Sequence, residues 1–234
     1  MRPSCTKSAR PLRPASTARD VDILESIAAR RSLGKMRPEA PPRELVERVL
    51  QAGVHAANHH DTQPWRFFVL TSEARSEFGE VLAQALAQRL GEAACVEDAG
   101  RPQTPAKEPP TSPQLIPNLE ALLEGERRKP MRSPVLIVVG VTSADEDPMT
   151  RREDLQAASA ALQNMLLAAN ALGLAAIWRT GDGAYDDRVK AHFGLKPSNE
   201  IAGILYLGYA DDSFGPAPSR KRDFTANTEW RGWR

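Results

Sequence analysis

One segment constrains the fold more than any other. Between Thr150 and Gly173, apolar residues recur at spacings of three and four: Leu155, Ala158, Leu162, Met165, Leu166, Ala169 and Leu172. That is the pattern of a helix with one inward face. Thr150 and Glu153 read as a capping box at its start, and Gly173 as its stop. At about 1.5 Å per residue such a helix is more than about 30 Å long. In a chain of 234 residues it is expected to form the spine of the core or a subunit contact. Its many alanines let neighbours approach closely.

The remaining segments read around this spine. Thr17-Ala18-Arg19-Asp20 resembles a second capping box, with Val21, Leu24, Ile27 and Ala28 on one face of a first helix. Pro41 and Pro42 open another, with Leu45, Val46, Val49 and Ala52 inward. Four runs read as strands: Trp65 to Leu70, Val135 to Val139, Ala175 to Trp178, and Ile201 to Leu207. The run from Val135 is apolar throughout, as a strand buried on both faces requires. Residues 73–91, Leu119 to Arg128 and Tyr185 to Phe193 are expected to be helical. Asp98 to Pro117 holds six prolines in twenty residues and reads as an exposed insertion. There is no internal repeat, so one domain is expected over 20–234. A disordered tail would precede it over 1–19. Residues 92–130 would form a variable insertion or lid, and 211–234 a C-terminal extension.

Composition removes several function classes. The net charge is +1, which supplies no electrostatic case for nucleic acid or an anionic membrane. No apolar run approaches the roughly 20 residues of a membrane helix. Cys5 and Cys95 lie far apart and form no disulfide framework, which suits a reducing cytoplasm. The acid-poor, Arg- and Pro-rich start has no apolar centre, so it is not a secretory signal; an organelle transit peptide shares such a composition. No P-loop, dinucleotide fingerprint or nucleophile elbow is present.

Three clusters remain. Arg30-Arg31-Ser32 ends the first helix. Two guanidiniums and a hydroxyl suit a phosphate dianion, while cations at a helix end also favour its dipole. His55 through Trp65 contains His55, Asn58, His59, His60, Asp61 and Gln63. This stretch fits a polar loop, a histidine metal site, or donors and acceptors around a flat heterocycle. Trp178-Arg179-Thr180-Gly181 follows a strand, as a core tryptophan and loop or as one wall of a cofactor groove.

Together, in this order, the clusters resemble the FMN-dependent nitroreductase family, in its short YdjA-type branch. The matching text is Ser26 to Ser32, Ala52-Gly53 through Gln63-Pro64-Trp65-Arg66-Phe67, Asn164 to Ala169 with Ala171 to Leu174, Trp178 to Gly181, and Leu205 to Tyr209. The resemblance covers roughly 20–210, apart from the insertion. It implies an α+β sandwich, a mostly antiparallel sheet flanked by helices, in an intertwined homodimer with FMN in the interface. It further implies that Arg30, Arg31 and Ser32 hold the FMN phosphate end. His55, His59 and Gln63 would approach the ring, and Trp178, Arg179 and Thr180 would line the cofactor. Arg220 or Arg222 would be a weaker phosphate contact. NAD(P)H would donate hydride near Ala168 to Gly173, and a nitroaromatic or quinone would accept it by ping-pong chemistry. No side chain is catalytic in its own right, because the flavin carries the hydride. Asp61 stands where many members have Asn, and His55 where the short branch has Arg, which alters the donors offered to the ring. A flavin storage or sensor protein with little turnover is a competing expectation, as is a colourless histidine metal protein.

Overall fold

The computed structural model describes residues 22–99, 118–143, 145–215 and 222–232. The expected tail, the Thr17–Asp20 capping box, Val21, most of the proline-rich insertion and Arg220 lie outside them. The centre is a four-stranded sheet: β1 (Trp65–Leu70), β2 (Val135–Val141), β3 (Ala175–Arg179) and β4 (Glu200–Gly208). Its spatial order is β1-β2-β4-β3, and every neighbouring pair is antiparallel.

Both faces of the sheet are buried, so β2 is apolar at every position. Val135, Ile137, Val139 and Val141 pack on one side, under helices α2 (Arg43–Gly53) and α5 (Pro148–Ala171). Leu136 and Val138 pack on the other, against α3 (Ser72–Ala99) and α7 (Asp187–His192). In β4 the alternation slips. Ala202 and Leu205 face the α5 side, whereas Ile201 and Ile204 face the α3 side. The cause is an irregular register at Val139/Gly140, where Gly203 pairs with Val139 but Ile201 with Gly140. Ala202 is the extra residue of a bulge.

α5 is the spine the sequence announces. Ala157, Ala158, Ala161, Leu162, Met165, Leu166 and Ala169 are buried along it. Gly53 lets α2 close on it: a Cβ there would sit 3.0 Å from Met165 Sδ. The cap is not the Thr150–Glu153 box. Asp147 Oδ2 accepts from the amides of Met149 (3.0 Å) and Thr150 (2.9 Å), with Pro148 at the first helical position. A carboxylate just ahead of proline outcompetes a threonine that is already inside the helix.

Other boundaries move too. The first helix, α1, spans Ile23–Ala29 with Asp22 as its N-cap. α3 continues beyond residue 91 to Ala99 and is followed, across the proline-rich stretch, by α4 (Leu119–Arg128). The expected helix from Tyr185 to Phe193 begins only at Asp187, as α7: Tyr185 closes a separate turn, α6 (Asp182–Tyr185), and Asp186 is extended and caps α7, its side chain accepting from Arg188 N. Among the described residues no helix is long and apolar enough to cross a membrane.

Candidate functional site

Arg30 ends α1 with extended backbone (ψ 131°), so the chain leaves the helix and runs alongside β3. Leu33 N donates to Ala176 O, and Arg37 N to Tyr209 O. Ser26, buried on α1, accepts from Asn170 Nδ2 at 3.4 Å in the last turn of α5. These ties fix the twin arginines at one corner of the sheet. Arg30 Nη1 lies 3.4 Å from Ser32 Oγ, and Arg31 Nη2 donates to Gly215 O at 2.9 Å. Arg31 also lines a partly open cavity of about 180 Å³ with Ala29, Leu33, Leu166, Asn170, Leu174 and Ala176. Among the described residues neither guanidinium has a carboxylate partner, whereas nearby Lys35 does, in Asp211 at 3.1 Å. Hydrogen bonds from the hydroxyl and amide of Ser213, then from Lys35, hold the Asp211 carboxyl down at about 2.

The second cluster is a strained loop. His60, Asp61 and Gln63 all adopt positive φ (51°, 55° and 43°), which costs roughly 1–3 kcal/mol for each residue held there. Side chains hold the loop in place. Gln63 N donates to Asn58 Oδ1 at 3.0 Å, and Thr62 Oγ1 donates to Asp154 Oδ1 at 2.7 Å. Gln63 Nε2 donates to Asp61 Oδ1 at 3.2 Å. Because a carboxylate only accepts, this contact orients the Gln63 amide and leaves its carbonyl free. His59 Nε2 lies 3.8 Å from Glu153 on α5, while His55 turns back to Gln51 at 3.1 Å. The two histidines therefore engage different helices. Among the described residues no group of three or more His, Cys, Asp or Glu side chains could hold a metal ion.

The third cluster divides. Trp178 lies on the α5 side of the sheet, its indole donating to Ala202 O at 3.2 Å. Arg179, the next residue along β3, lies against the Tyr206 ring of the opposite face, 5.5 Å from its centroid. Burial pushes the Tyr206 phenol up, opposed by the charges of Arg179 and Arg132. Trp178 and Arg179 thus share only the backbone of this strand end, which leads to the exposed Thr180.

Clusters one and three meet, since segment 33–34 runs against β3. Cluster two does not meet cluster one. Thr62 contacts α5 at Asp154 and Ser26 contacts it at Asn170. Those positions are sixteen residues apart, or about 24 Å along the helix. The sheet agrees: Trp65, Val141 and Glu200 share one end, while Val135, Leu207 and Ala175 share the other. The arginines and Gln63 occupy diagonally opposed corners. Of the residues holding these corners, Asp154 and Thr62 do not stand out by motif. The available signal is that Asp154 falls on the inward stripe of α5, four residues before Ala158.

The profile of the Nitroreductase family matches residues 27–209. The chain is 30% identical over 188 residues to YdjA of Escherichia coli K12, named as an inferred NAD(P)H nitroreductase, covering 80% of this chain and 88% of that one. A nitroreductase-like family protein from Bacillus cereus superposes with a TM-score of 0.67 at 22% identity, over 91% of this chain and 97% of its own. The FMN-dependent nitroreductase NfnB from Mycobacterium smegmatis, solved in complex with NADPH, superposes with a TM-score of 0.60 at 20% identity, over 89% and 97%.

Proposed function

Because the chain belongs to the nitroreductase family, we propose that it is an FMN-dependent oxidoreductase passing hydride from NAD(P)H to a nitroaromatic, quinone or similar small acceptor. One observation carries this reading: two adjacent guanidiniums without carboxylate partners among the described residues, beside a hydroxyl and a cavity. Unspent positive charge in a fixed geometry is what a phosphate monoester needs. NfnB, of the same fold, is named as FMN-dependent and is seen with NADPH.

In this reading Arg30, Arg31 and Ser32 bind the phosphate end of FMN. Gln63, with its amide oriented by Asp61, presents a carbonyl acceptor to the ring edge. His55 and His59 flank the same loop, and the strand end Trp178-Arg179-Thr180 walls the groove. When bound, FMN would supply the hydride chemistry between NAD(P)H as donor and the small acceptor, in a ping-pong cycle. The protein's share is binding, orientation and exclusion of water.

One protomer cannot supply all of these contacts to one cofactor. The arginine corner and the Gln63 corner are separated by about 24 Å along α5, farther than a flavin mononucleotide spans. A homodimer resolves this by joining the arginines of one copy to the loop of the other. The apolar side chains of α1 are available for such a contact: Ile23, Leu24 and Ile27 are 61%, 70% and 50% exposed. The test is FMN titration of the purified full chain, followed by ultracentrifugation. The expected result is a yellow dimer, with the Arg30→Ala/Arg31→Ala variant binding FMN at least about a hundredfold more weakly, from two charge-assisted contacts. A monomer that refuses added FMN, or a double variant with unchanged affinity, overturns the proposal.

A further inference from the structure

We infer that Asp154 is a positioning residue which, through Thr62, holds the strained Gln63 loop in its cofactor-binding geometry. The inference rests on the flavin reading above and adds two residues to it. Asp154 is 1% exposed, on the inward face of α5. A carboxylate is almost never fully buried unless it is paired. Its Oδ1 accepts the Thr62 hydroxyl at 2.7 Å.

The contact also has an object. Thr62 lies between Asp61 and Gln63, both at positive φ, with His60 immediately before them. Backbone of this kind persists only where its surroundings over-determine it. Local bonds close the loop on itself: Thr62 N to His59 O, and Gln63 N to Asn58 Oδ1. Those bonds set its shape, and Pro64 O, accepting from Thr142 N at 2.8 Å, joins its far end to the sheet. The Thr62–Asp154 contact ties it to the spine. The other link to α5, His59 to Glu153, is longer at 3.8 Å, and both side chains are substantially solvated, so it contributes little. Asp154 therefore acts on Gln63 at one remove, through a hydroxyl whose neighbours are strained.

The experiment uses the full-length protein with FMN as the probe. Thr62→Val removes the hydroxyl at almost constant volume, Thr62→Ser restores it, and Asp154→Ala removes the acceptor. Melting temperature, FMN affinity and the midpoint potential of bound FMN are read for each. Thr62→Val is expected to weaken FMN binding about tenfold and to shift the potential, with Thr62→Ser within about threefold of wild type. Asp154→Ala combined with Thr62→Val should be no worse than the more damaging single change, since both break one contact. If Asp154→Ala does not fold, the threonine pair still decides. Thr62→Val with wild-type affinity and potential overturns the inference while leaving the flavin reading intact, and so does Thr62→Ser that fails to rescue. Wild-type protein that takes up no FMN overturns the flavin reading itself, and with it the inference.

Discussion

The tightest packing constraint in the sheet lies where Trp178 crosses Gly203. A Cβ on Gly203 would stand 1.9 Å from Trp178 Nε1, 2.5 Å from Cδ1 and 3.0 Å from Cε2. No side chain tolerates such approaches, so in Gly203→Ala the indole must leave. It then loses its bond to Ala202 O, 3.2 Å in the native protein and worth about 1 kcal/mol. Forcing a methyl into a packed face costs about 1–3 kcal/mol more. The sum, about 2–4 kcal/mol, corresponds to a drop in melting temperature of roughly 4–16 °C for a chain of this size. Differential scanning calorimetry of the wild type, Gly203→Ala, Trp178→Phe and the double variant measures it. The smaller ring should recover part of the loss, because the new methyl and the displaced indole compete for one volume. A Gly203→Ala protein melting within about 2 °C of wild type refutes the reasoning, and so does a double variant whose losses simply add.

Two further expectations follow from the site. Asp61→Asn should raise the midpoint potential of bound FMN by about 30 mV or more, because removing a carboxylate beside the Gln63 amide favours electron uptake; 30 mV is about 1.4 kcal/mol for a two-electron couple. Spectroelectrochemistry reads it, and an unchanged or lower potential counts against placing the ring at this loop. Asp211 is held at about 2, below its ordinary 3.8. A depressed carboxyl stabilises the folded state fully above its unfolded value and loses that contribution as pH falls through the folded one. The melting-temperature gap between wild type and Asp211→Asn should therefore be constant above about pH 5 and close between about pH 4 and pH 2. A gap independent of pH would contradict the Lys35–Asp211–Ser213 cluster.

The elements most legible in the sequence are those whose burial is one-dimensional. All four strands follow from short apolar, β-branched or aromatic runs and the spine helix from its period, because a sheet covered on both faces leaves β2 no polar position and α5 carries a continuous inward stripe. Boundaries fixed by single side chains are less legible. Asp147, not Thr150, caps α5, since the competition between two nearby acceptors depends on where Pro148 starts the helix. The break at Asp186 depends on one residue leaving helical dihedrals. At the site, the arginines and Gln63 stand out by chemical type. The strain at His60, Asp61 and Gln63 does not, because positive φ in non-glycine residues is imposed by contacts from distant segments. Nor does sequence order reveal that Trp178 and Arg179 diverge to opposite faces, or that the arginines and the Gln63 loop occupy opposed corners.

Those opposed corners have a genetic consequence under the proposed dimer. A lesion at the arginines and a lesion at the Gln63 loop, carried on separate copies of the chain, do not have to spoil the same groove. When such copies pair, both defects fall on one groove and the second is assembled entirely from undamaged parts. Two inactive alleles would then complement each other to about a quarter of the normal output, since half of randomly paired dimers are mixed and each mixed dimer keeps one intact groove of two, an outcome not open to a site that lies within a single subunit.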